Sequence, residues 1–230
     1  MSLDWIMNNE AYRKALDGII SSLVKLRSEG VDIAKGIVGE TLMKEDLFYC
    51  ASLDRCLSLI DGIILLLRER NLTCAGAILR LQMDNCMRTY AAFIAEDREK
   101  VVNCLIYGTP IKNERDINGN KMNDGYLKEV ITKIDSRFAR VFDQASGYVH
   151  LSEKAFYQTI TDIDNDGKLT VRVGHDLPEK RNEPLLECAE AFCHFVRLHF
   201  KMLAAVVDNK KRIDAECQEN NKEDDSRVKS

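Results

Sequence analysis

With 230 residues, 45% of them hydrophobic, the chain is long enough to bury one sizeable core, and its formal charge of -4 lacks the basic excess of a protein that coats nucleic acid. Its longest apolar run, residues 57–67, is broken by Asp61 and Gly62 and falls well short of the roughly 20 residues needed to cross a bilayer. No basic-then-apolar leader opens the chain, so a soluble cytoplasmic protein without a membrane partner is expected.

In chain order, residues 8–27 form the first expected helix, with Ala15, Ile19, Leu23 and Leu26 on one face and Gly30 ending it. Residues 45–70 and 72–96 read as two long helices, each apolar round much of its circumference and separated by a very short turn at Asn71. Such a pair packs antiparallel and makes the centre of a bundle. A short helix over 98–107 precedes a polar loop, residues 108–125, with three glycines and a proline. Helices over 126–134 and 136–149 follow. Residues 155–161 and 168–173 are rich in Thr, Ile, Val and aromatics and flank Asp-Asn-Asp-Gly, a hairpin signal. A last helix is expected over 184–214, opened by Pro184. The fold class is therefore mainly α: an antiparallel helical bundle, residues 1–212, with one β-hairpin inserted at about 155–173, and a charged, solvated tail over 213–230.

Most familiar chemistries find no foothold. The eight cysteines form no CxxC pair and read as free, mostly buried thiols. Asp162, Asp164, Asp166 and Gly167 match the start of a calcium loop, but its closing glutamate is Val173, so an acidic turn is expected. His194 and His199 lie five apart on one helix and point different ways, which suits partly exposed histidines better than metal ligands. Phosphate-loop, dinucleotide and nucleophile-elbow motifs are absent, and no metal or cofactor is expected.

Two features stand apart. Arg80, Asp84 and Arg88 fall on one strip of the second long helix, bordering its apolar face. A guanidinium there needs a partner, and Asp84, one turn on, is placed to supply it; the pair reads as a structural ion pair or as an anion-binding arginine held by a carboxylate. The segment SGYVHLSEKAF sets Tyr148, His150 and Ser152 where a helix gives way to the hairpin. His150 reads as a helix C-terminal cap or as a proton-transfer group.

The segments ILRLQMDN, GNKMNDGYLKEV and SGYVHLSEKAF, in this order and followed by a hairpin, resemble an uncharacterised family of bacterial helical proteins. That family is itself similar to the HEPN superfamily, many of whose members are ribonucleases of toxin–antitoxin and anti-phage systems. The resemblance covers about residues 45–205. It implies a metal-independent protein of bacterial defence or stress acting on RNA or another phosphoester. Arg80 would then stabilise phosphate charge, His150 would act as acid or base, Asp84 would orient the arginine, and Tyr148, Ser152 or Arg88 would hold substrate. HEPN ribonucleases place an arginine four to six residues from the histidine; here the nearest arginine before His150 is Arg140, ten residues away. The alternative is a non-catalytic module, as a homodimer or with another partner, that uses the same cleft.

Overall fold

The computed structural model describes residues 3–150, 152–153, 160–163, 167–171 and 182–228. Among them are seven α-helices: α1 (Leu3–Val38), α2 (Lys44–Arg68), α3 (Leu72–Ile94), α4 (Arg98–Tyr107), α5 (Asp124–Ile134), α6 (Phe138–Val149) and α7 (Asn182–Val228). The two strands β1 (Ile160–Ile163) and β2 (Leu169–Val171) pair antiparallel, Ile160 opposite Val171 and Ile163 opposite Leu169, with a bulge between Ile160 and Asp162. The protein is thus a mainly-α helical bundle carrying the expected hairpin. Asp164, Asp166 and Val173 of the calcium-like loop lie outside the described residues.

Local chemistry explains where the helices begin and stop. Arg70 takes a left-handed φ of 53° in the turn after α2. Asn71 then caps α3, its Oδ1 accepting the Cys74 amide at 3.1 Å. Asp97 does the same for α4, accepting from the Lys100 amide at 3.1 Å, and Gly108 closes that helix at φ 68°.

The chain forms two compact units: Met1–Val24, Ser58–Asp84 and Lys128–Phe195 make the first, and Lys25–Leu57, Asn85–Leu127 and Val196–Ser230 the second. The first unit buries Leu23, Ile60, Ile63, Leu67, Leu72, Phe138, Phe192 and Phe195. Phe138 of α6 and Phe195 of α7 meet edge to face, ring centres 5.4 Å apart.

In the second unit α2 and α3 run antiparallel. Tyr49 meets Phe93 at 5.8 Å between ring centres, and three residues further along α2 Ser52 meets Thr89, four residues earlier in α3. Two expectations are corrected here. Gly30 does not end α1. A Cβ at Gly30 would come within 2.6 Å of Leu57 Cδ2, and one at Gly36 within 2.7 Å of Val207 Cγ1. Both glycines are places where a neighbour presses on the α1 backbone, and the helix ends instead at Gly39, whose φ is 55°. The tail expected from residue 213 is not simply solvated at its start either. Lys210 is buried against Asp46 and the Thr41 carbonyl, and Asp214 accepts the Glu40 amide at 3.2 Å, so α7 continues past the expected start of a tail.

A polar knot lies in the core of the same unit. Ser52 Oγ is 2.5 Å from Thr89 Oγ1 and 2.8 Å from His199 Nε2, while Asn85 Nδ2 donates to the Ser52 carbonyl at 2.8 Å. His199, expected to be partly exposed, is wholly buried. In the loop before α5, buried Asp116 accepts the amides of Asn118 and Asn120, the Asn120 side chain and the Tyr126 hydroxyl. Desolvation raises its pKa, but these donors outweigh it and hold the carboxyl below its usual range.

Candidate functional site

The first unit contains a cavity of about 780 Å³, within the range of roughly 300–1,000 Å³ typical of ligand sites. Two helical stripes line it. From α6 and the residue just before it come Arg137, Arg140, Val141, Gln144, Ala145 and Tyr148; from α7 come Pro184, Glu187, Cys188, Glu190, Ala191, His194 and Phe195. Both stripes recur at three- and four-residue steps, as one helix face must. Leu72 and Leu79 of α3 and Ile160 of β1 complete the apolar part of the wall.

At one edge of the cavity an acid holds the histidine. Asp135 sits in the short link between α5 and α6, where its Oδ1 accepts the Arg137 amide at 3.1 Å and Arg137 Nε at 3.3 Å. Its other oxygen, Oδ2, takes Nε2 of His194. Burial alone would raise this carboxyl; the hydrogen bonds from His194 and Arg137 outweigh it and keep Asp135 below the ordinary carboxylate range. Arg137 Nη2 lies 3.0 Å from His194 Nδ1 and 2.9 Å from Nε2. With Nε2–H given to Asp135, Nδ1 is the nitrogen left to accept from Arg137, which fixes the tautomer by its partners.

The wall charges divide by helix. Arg137 immediately precedes α6 and Arg140 stands on it, while Glu187 and Glu190 stand on α7. Arg140, Glu187 and Glu190 make no ion pair or hydrogen bond among the described residues.

Of the residues singled out in the sequence, only Tyr148 lines the cavity. The Arg80 guanidinium stacks on Phe142, 3.6 Å from the ring centre, and its Nε donates to Ser146 Oγ at 3.3 Å. His150 caps the C-terminus of α6; it is exposed, and its amide donates to the Ser146 carbonyl at 3.4 Å. Ser152 Oγ donates to the Gly147 carbonyl at 2.8 Å. Arg80, Tyr148, His150 and Ser152 are therefore gathered around the last turns of α6. Asp84 is half-buried one turn beyond Arg80. Arg88, in the second unit, bonds to Asp124 at 2.5 Å.

Tyr148 is seated by a glycine. Its ring lies flat on α3 at Gly76, where a Cβ would come within 2.3 Å of Tyr148 Cδ2. Gly76→Ala is expected to cost about 1–3 kcal/mol by overpacking, despite alanine's better helix propensity. A urea titration checks this; a stabilised variant would mean that the ring does not rest there.

Asp135, Arg137, Arg140 and His194 were not assigned as site residues from the sequence. The shared face of Glu190 and His194, four residues apart, was legible. The pairing of Asp135 with a residue 59 positions away has no local signature. Among the described residues no three or more His, Cys, Asp or Glu side chains are grouped to hold a metal ion. No protein-family model matches the chain, and neither a curated protein nor a solved structure matches it. No described helix is long and apolar enough to cross a membrane.

Proposed function

We propose that the cavity between α6 and α7 binds a phosphate-bearing ligand, and that His194 carries out acid–base chemistry on its phosphoester, in keeping with the RNA- or phosphoester-processing role that the HEPN resemblance implies. The observation that carries this reading is Arg140, a guanidinium without a partner among the described residues, in the same cavity that Arg137 and His194 of the Asp135–His194–Arg137 cluster line. An unpaired guanidinium in a concave, half-apolar wall is suited to an anion, and a phosphate matches its fork. Arg137 is the second candidate, because its side chain is 57% exposed although it is bonded to Asp135 and His194. A phosphate drawing Arg137 off the imidazole would leave Nδ1 able to take or give a proton, while Asp135 keeps the ring in place. A concave site of this size suits a small ligand or one nucleotide of a single strand rather than a duplex.

The second reading is a non-catalytic binding module, alone or as a homodimer. It is favoured by the engagement of both ring nitrogens of His194. Turnover of bis(4-nitrophenyl) phosphate and of a short single-stranded RNA by wild type and His194→Gln separates the two readings. The catalytic reading expects the variant to lose about 10²–10⁴-fold in rate with ligand affinity little changed. Saturable phosphate-ester binding without turnover assigns the module, and light scattering then tests for a dimer. If His150→Ala abolishes turnover and His194→Gln does not, the chemistry belongs to Arg80 and His150 instead.

A further inference from the structure

The two charged walls of the cavity say more about the ligand than that it bears phosphate. We infer that it is zwitterionic, carrying a cationic amine that meets Glu187 and Glu190 while its phosphate meets Arg140. This rests on the phosphate-binding reading and specifies it further. Glu187 and Glu190 are three apart on α7, so they are neighbours on one helix face and repel each other. Both line the cavity, and neither has a counter-charge among the described residues. Arg140, on α6, also lines the cavity and is likewise without a counter-charge there. The protein has therefore not neutralised these opposite charges against each other, although one cavity holds them all. A ligand with separated positive and negative ends neutralises both at once. The surface beside them is apolar, from Leu79, Ala145 and Phe195, which suits a hydrocarbon or aromatic body between the two ends.

Calorimetry near neutral pH with three probes tests this: phenyl phosphate carries only the anion, tyramine only the amine, and tyramine phosphate both. Tyramine phosphate is expected to bind at least about tenfold more tightly than phenyl phosphate. The double variant Glu187→Gln/Glu190→Gln, at two exposed positions, should remove that advantage without weakening phenyl phosphate binding. Arg140→Gln should weaken both phosphates without weakening tyramine. Unchanged thermal melting of the variants establishes that they fold. If phenyl phosphate binds as tightly as tyramine phosphate, or if the glutamine pair leaves their ratio unaltered, the zwitterion inference falls and phosphate binding stands. If neither phosphate ester binds, both fall together.

Discussion

Acidifying the protein from pH 7 towards pH 3 is expected to remove about 5 kcal/mol of folding stability through one residue, His199. Its imidazole is wholly buried on α7, against the hydroxyls of Ser52 and Thr89 at 2.8 and 3.1 Å. No carboxylate bonds to it, and Nδ1 has no hydrogen-bond partner among the described residues. Burial therefore pushes its pKa down from 6.5 to about 3. The sign follows from which state takes the proton first. Above pH 6.5 neither state is protonated, and His199 adds no pH dependence. Below it the unfolded chain binds a proton that the folded protein refuses, so stability falls with pH until the folded pKa is reached. By pH 5 the loss through this residue should be about 2 kcal/mol. Urea titrations at pH 7 and pH 5, for wild type and for His199→Gln, isolate it. The glutamine keeps a polar group near Ser52 and Thr89 but does not titrate, so its loss between the two pH values should be smaller by that amount. Equal losses in the two proteins would show that the ring is not buried in the neutral form.

Helical periodicity made the backbone plan legible and left the tertiary partners hidden. The α4 bounds, the start of α3 at Leu72 and the hairpin follow from caps, turn residues and apolar spacing, all of which act over a few residues. Glycine was ambiguous because it ends a helix in one setting and admits a neighbour in another. At Gly30 and Gly36 the deciding atoms belong to Leu57 and Val207, far along the chain. His199 and His194 sit five apart on the same helix, yet one is sealed among hydroxyls and the other is held by Asp135 at a cavity. Composition and spacing cannot separate two such residues, since the difference lies in what distant parts of the chain bring to them. The same holds for Arg80, whose bordering position was legible from the 100° helical step, while its stacking on Phe142 was not.

Removing the carboxylate of Asp46 is expected to destabilise the protein by about 3–5 kcal/mol, because it strands a buried ammonium. Lys210 is only 2% exposed and Asp46 5%. Its Nζ donates to Asp46 Oδ2 at 2.5 Å and to the Thr41 carbonyl. The same Asp46 oxygen accepts the Met43 amide at 2.8 Å, so it also closes the N-terminus of α2. Asp46→Ala therefore leaves one charge without its counter-ion and the helix without its cap. Lys210→Met leaves Asp46 with only the amide of Met43 and should also be costly. Combining the two substitutions removes both charges, and the double variant is expected to lose clearly less than the two single losses added together. Urea denaturation of the four proteins in this cycle gives the coupling directly. Additive losses, or less than about 1 kcal/mol from Asp46→Ala, would place Lys210 in solvent and return the end of α7 to the solvated tail that its charge pattern suggests. A strong coupling would instead make Lys210 the residue that ties this polar stretch of α7 to the start of α2. One buried pair would then decide whether the helix packs or frays.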